Sequence, residues 1–163
     1  MPYYELYYHL VWSTKHRAPL LTAVIEPIIY QYMRHKAHSL EAIIHALNGI
    51  EDHVHMVVTI PPKLAVAKFI GQVKGVASTR FNKEHKEHPP FFWQTEYSAF
   101  SFDKKRLPYV IAYVNRQKEH HAQHELIPLL EKDGTEDQQQ TIHEPMGIYL
   151  PNYDQWFKEM QAT

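Results

Sequence analysis

Apolar and polar positions follow two rhythms along the chain, and the switches between them predict its elements. Tyr3 to Thr14 (YYELYYHLVWST) is rich in aromatic and β-branched residues, which predicts a strand. From Thr22 to about His38 the residues Val24, Ile25, Ile28, Ile29, Tyr32 and Met33 recur at helical spacing. Pro27 fits only in the first turn of that helix, so its regular part begins near Glu26. Leu40 to Leu47 (LEAIIHAL) predicts a second strand, closed by the turn signal Asn48-Gly49. His53 to Ile60 (HVHMVVTI) predicts a third, stopped by Pro61-Pro62 and paired as a hairpin with the second. Lys63 to about Glu84 has the helical spacing again, through Leu64, Ala67, Phe69, Ile70, Val73, Val76 and Ala77. After a polar loop and Phe91-Phe92-Trp93, Tyr97 to Phe102 alternates as a fourth strand. Asp103 is a suitable N-cap for a third helix from about Lys104 to Gln123, with Pro108 near its first turn.

The resulting order is β-α-β-β-α-β-α. Its first six elements match the split β-α-β order of a ferredoxin-like sandwich. The expectation is an α+β domain over residues 1–125, with helices covering one face of an antiparallel sheet. Residues 126–163 read as an acidic and aromatic C-terminal extension, packed on or appended to that domain.

Composition narrows the function classes. With no cysteine, disulfides, thiolate nucleophiles and Cys-bound zinc are excluded. No apolar run approaches the roughly 20 residues needed to cross a bilayer. The N-terminus lacks the continuous apolar stretch of a signal peptide. A soluble cytoplasmic protein, without membrane attachment, is expected. The net charge of −1 hides an asymmetry. Residues 1–125 hold 15 Lys and Arg against 11 Asp and Glu, and residues 126–163 hold 2 against 7. A mildly basic body suits a phosphate-bearing partner.

Three groups of residues could carry chemistry. His53 and His55 lie two apart on a predicted strand and so share one face. Paired neutral imidazoles make a plausible divalent-metal site, as against two exposed strand histidines. Tyr113 and Gln117 lie four apart on a predicted helix and also share a face. A tyrosine can serve as a covalent nucleophile and a glutamine oxygen as a metal ligand, as against ordinary packing and solvation. His120, His121 and His124 could bind metal at one-turn spacing, but they read more simply as a polar helix end. Basic residues lie near the loop aromatics Phe91, Phe92 and Trp93, as in single-strand binders that stack bases on exposed rings, as against a solvated basic surface over an aromatic core. The candidates for contact with nucleic acid are Lys15, Arg17, Lys74, Arg80, Lys104, Lys105 and Arg106.

His-hydrophobe-His on a strand, followed by Tyr-x-x-x-Gln on a helix, resembles the HUH endonucleases with one catalytic tyrosine. The closer similarity is to the small transposases of bacterial insertion sequences of the 200/605 type and their REP-associated relatives. Four stretches carry it: His9 to Thr22, Glu51 to Val58, Trp93 to Phe102 and Tyr113 to His121. The resemblance implies that His53, His55 and Gln117 ligate Mg²⁺ or Mn²⁺ and that Tyr113 is the nucleophile. It implies cleavage and rejoining of single-stranded hairpin DNA through a 5′-phosphotyrosine. It also implies a homodimer, whose tyrosine helix can serve the partner's histidines. Two other readings remain open on the residues alone. One is a non-catalytic single-strand-binding module on the same fold. The other is a zinc hydrolase using His53, His55 and one of His120, His121 or His124.

Overall fold

The computed structural model describes residues 2–123, 126 and 128–134. Four strands, β1 (Tyr7–Ser13), β2 (Ile43–Ile50), β3 (His53–Thr59) and β4 (Ser98–Phe102), form one sheet in the order β2-β3-β1-β4. All neighbours are antiparallel. Between them run α1 (Ile25–Ser39) and α2 (Val66–Glu84), and after β4 come α3 (Leu107–Asn115) and α4 (Gln117–Gln123). The expected ferredoxin-like order is therefore present. No helix among the described residues is long and apolar enough to cross a membrane.

The central strands β1 and β3 are buried on both faces, and the period of two in β3 explains how. Val54, Met56 and Val58 join Leu10 and Trp12 of β1, Ile29 and Met33 of α1, and Phe69, Ile70, Val73 and Ala77 of α2 in the main core. Burial of each large side chain here contributes about 1.5–3 kcal/mol. The alternate residues His53, His55 and Val57 face the other way. There Val57 and Ala46 of β2 meet Val110, Tyr113 and Val114 of α3, together with Leu130. Thus α1 and α2 cover one face as expected, whereas α3 lies over the opposite, histidine-bearing face.

Three local expectations need correction. Asn48-Gly49 is not a turn: both residues lie inside β2, paired with His55 and Val54, and the reversal falls at Glu51-Asp52. Gly49 is required there for close approach. A Cβ on it would stand 2.1 Å from the His53 carbonyl oxygen. Gly49→Ala is expected to cost about 1–3 kcal/mol by forcing β2 away from β3, measurable as a lowered urea midpoint. Secondly, the helix from Lys104 to Gln123 is not continuous. Lys104–Arg106 is a 3₁₀ turn capped by the Asp103 side chain, and the helix is interrupted at Arg116. The Asn115 carbonyl instead accepts a bond from Asn48 Nδ2 (3.1 Å), and Lys118 reaches Asn48 Oδ1 (2.7 Å) and the Gly49 carbonyl. Thirdly, β1 begins at Tyr7 rather than Tyr3.

Candidate active site

β3 is a central strand, so its two outward imidazoles are covered: His53 and His55 are almost fully buried. Buried imidazoles require partners, and each ring has one on either side. His53 Nδ1 bonds Asp52 Oδ1 at 2.7 Å, and His55 Nδ1 bonds Nε2 of His9, on β1, at 2.9 Å. On the inner side, His53 Nε2 and His55 Nε2 stand 3.2 and 3.1 Å from one oxygen, Oε2 of Glu131. The other Glu131 oxygen accepts bonds from the Tyr113 hydroxyl and from Gln117 Nε2 (3.2 Å). His121 Nε2 also lies 3.3 Å from Oε2.

Tyr113 therefore sits over the histidine pair of its own chain. Its ring meets that of His55 edge-on at 6.2 Å and stacks on His120 at 4.8 Å, fixing the phenol from two sides. Gln117 and His121 follow at one-turn intervals on the same helical face.

Glu131 arrives on a 3₁₀ turn, Pro128–Glu131. Leu130 anchors it in the apolar cluster under α3. Asp133 anchors it on the polar side, accepting bonds from Ser13 Oγ and from Arg17 Nη1 (2.8 Å). Gly134, at φ 87°, lets the chain run against the Tyr97 backbone, where a Cβ would stand 2.2 Å from the carbonyl oxygen. Arg17 also reaches Asp52 Oδ2 (3.4 Å), and so links the 3₁₀ turn Lys15–Arg17 to the centre.

The electrostatics follow from burial and these bonds. Burial opposes ionisation of Glu131, yet the bonds from His53, His55 and Tyr113 prevail and hold it far below the ordinary carboxylate range. Burial likewise disfavours charge on His53, but Asp52 and Glu131 outweigh it and raise its pKa. His55 and His9 are lowered, chiefly by burial. The centre thus combines the carboxylates of Glu131 and Asp52 with imidazoles of unequal basicity.

The geometry also fits a divalent ion. His53 has the carboxylate on its remote nitrogen that orients metal-binding histidines. Gln117 is fully buried, and its Oε1 has no hydrogen-bond partner among the described residues. A buried amide oxygen without a hydrogen-bond partner is free to serve as an additional ligand once the amide turns, its nitrogen now donating to Glu131.

Residues 2–117 match the family described as IS200-like transposases. The chain belongs to that family. Among curated members it is 30% identical over 79 residues to the ISDra2 transposase TnpA of Deinococcus radiodurans, covering 47% of this chain and 55% of the relative. It is 30% identical over 71 residues to the transposase for insertion sequence element IS200 of Salmonella typhimurium, covering 44% and 47%. The matches thus span about half the length of these relatives. In shape the chain resembles a Deinococcus radiodurans R1 transposase structure with a TM-score of 0.56 at 22% identity, over 71% of this chain and 93% of the other. It also resembles a REP-associated tyrosine transposase bound to a REP hairpin, with a TM-score of 0.57 at 12% identity, over 74% and 73%. At these identities the two structures show a common fold.

In this transposase-family chain the expected set His53, His55, Tyr113 and Gln117 is brought together. The basic candidates are dispersed. Arg17 adjoins the centre, and Lys15 lies over the exposed Phe92 ring at 5.7 Å. Arg80 stacks on Tyr32, Lys104 pairs with Glu5, Arg106 pairs with Asp103, and Lys105 is exposed. Lys74 is turned inward. Only 8% exposed, it donates to the carbonyl oxygens of Gln94, Thr95 and Glu96, and burial lowers its pKa to about 8. It braces the segment before β4 rather than facing solvent. Sequence reasoning missed Glu131, Asp133 and His9 as parts of the centre. His9 could have been found, since it alternates with Val11 and Ser13 on the face shared with His55. His121, which reads more simply as a polar helix end but is open as a metal ligand, stands at the centre, and His124 lies outside the described residues.

Proposed function

We propose that this chain cleaves and rejoins single-stranded DNA through a covalent bond to Tyr113, assisted by a divalent ion at His53, His55 and Gln117. The observation that carries this reading is convergence. The Tyr113 hydroxyl and both histidine Nε2 atoms meet on one carboxylate, so nucleophile and ligand set address a single small anion. A scissile phosphate is such an anion.

In the cleavage step the Tyr113 oxygen attacks phosphorus as its phenolic proton departs. The bond from phosphorus to the 3′ oxygen breaks, and that oxygen takes up a proton. The products are a 5′-phosphotyrosine and a free 3′-hydroxyl. Rejoining is the reverse, which conserves the phosphodiester energy. Glu131 Oε1 accepts the hydrogen bond of the phenol and so orients its hydroxyl, the proton passing to water as the oxygen attacks. His120 and His55 hold the ring. Mg²⁺ or Mn²⁺, when bound, supplies charge stabilisation at the non-bridging phosphate oxygens. Arg17 supplies a cation beside the centre, and Lys15 with Phe92 a charge and a stacking ring for the strand. Lys104, Lys105, Arg106 and Arg80 are further candidates for backbone contact. The substrate class is hairpin-bearing single-stranded DNA, and the active species a homodimer. Residues 1–125 would form the body of the catalytic domain, with residues 128–134 packed on it.

The test is a covalent-adduct assay. Labelled single-stranded hairpin DNA from the flanks of the protein's own gene is incubated with protein and Mn²⁺, then run on a denaturing gel. A protein-linked band that disappears with EDTA and with fully duplex DNA is expected. Tight binding without any band would instead support the non-catalytic single-strand-binding module.

A further inference from the structure

The set around Glu131 exceeds what hydrogen bonding requires. Three imidazole nitrogens, from His53, His55 and His121, stand 3.2, 3.1 and 3.3 Å from one oxygen, Glu131 Oε2. A carboxylate oxygen has two lone pairs, so three donors cannot all be served well. Accordingly the His121 contact lacks the alignment of a hydrogen bond. Ligand atoms of a first-row ion, each about 2.1 Å from it and separated by near-right or tetrahedral angles, lie roughly 3.0–3.4 Å apart. The nitrogen-to-oxygen distances here match that spacing, and the four donor atoms, within 4.8 Å of one another, must draw in by several tenths of an ångström to share one ion.

We propose that Glu131 and His121 complete a four-donor metal centre with His53 and His55, so that the segment after α4 is part of the ligand set. This rests on the reading that His53 and His55 hold an ion. It adds two ligands that the family resemblance does not supply, and it makes Gln117 the hydrogen-bond donor to Glu131 Oε1 rather than a fourth-position ligand. It also changes the expected preference. Three imidazoles and a carboxylate suit Mn²⁺, Co²⁺ or Zn²⁺ better than Mg²⁺, which favours oxygen ligands. Leu130 and Asp133, on either side of Glu131, are each fixed to the body, which holds the carboxylate at the two histidines before any ion arrives. Oε1 remains directed at Tyr113 and Gln117, so one side chain connects the ion to the nucleophile.

The experiment uses the full chain and measures metal binding without DNA. Zn²⁺ and Co²⁺ are titrated calorimetrically into wild type, Glu131→Gln, His121→Ala and His53→Ala, with the fold of each checked by circular dichroism. One ion per wild-type chain is expected. Glu131→Gln and His121→Ala should each weaken binding about 10-fold or more, and His53→Ala should abolish it. X-ray absorption at the zinc edge of the wild type provides a second readout, independent of whether any variant folds. It should count three imidazoles. Unchanged or tighter binding by folded Glu131→Gln, or only two imidazoles at the edge, would overturn the proposal and leave Glu131 as a hydrogen-bonded occupant. A wild type that binds neither ion, or a folded His53→Ala that binds like wild type, would overturn the underlying reading as well.

Discussion

Tyr113→Phe is expected to abolish the protein–DNA adduct while leaving single-strand binding and the fold intact. The ring is 2% exposed and packs with Val110 and Val114, and phenylalanine keeps that packing. Only the hydroxyl is lost, and with it the oxygen proposed to attack. Loss of the nucleophile in a covalent mechanism lowers turnover on the order of 10⁴-fold or more. The stability change should be small by comparison. Glu131 loses one donor to a charged acceptor, about 1.5–3 kcal/mol at most, and keeps Gln117, His53 and His55. Urea denaturation and the adduct gel, run on the same preparation, separate the two effects. Tyr109, one turn earlier and packed against the same cluster, is the control. An adduct that survives in Tyr113→Phe and vanishes in Tyr109→Phe would show that the nucleophile is the other tyrosine.

His55→Ala should remove activity by a different route and cost stability too. The His55 side chain is wholly buried between His9 and Glu131. Alanine leaves a cavity, takes the partner from His9 Nε2 and removes one of the donors that keep Glu131 ionised. The combined cost is about 3 kcal/mol. Metal binding and adduct formation should both fall below detection, and the urea midpoint should fall more than in Tyr113→Phe. His55→Gln, which keeps a polar group, should recover part of the stability without the ion. If His55→Ala forms adduct at the wild-type rate, the histidine pair has no part in the chemistry.

Much of the fold was legible because it depends on local rhythm. β3 announces itself by alternation, and the same alternation puts His53 and His55 on one face. Tyr113 and Gln117 were legible as a pair at helical spacing, even though the helix is interrupted between them. The features that escaped are set by contacts distant in sequence. Nothing in Asn115-Arg116 signals a break. It comes from Asn48 and Lys118, which tie the helix to β2. Asn48-Gly49 carries a turn signal, but the glycine is needed where two strands approach closely. Lys74 looks like any helix-surface lysine until the carbonyls of residues 94–96 are placed around it. Glu131 belongs to no motif. It has neither periodicity nor a partner nearby in sequence, and only its anchors bring it to the histidines.

That last feature bears on the order in which the molecule assembles. Glu131 meets His53 across a sequence separation of 78 residues, and Asp133 meets Ser13 across 120. Contacts that close such long loops are entropically late. On a ribosome, β1 to β4 and both helices of the main core are synthesised before residues 128–134 emerge. A nascent chain that has paired its four strands would still lack Glu131 at His53 and His55 and Leu130 under α3. Closure of the centre becomes a final folding step, one that a truncated transcript or a premature stop would never reach.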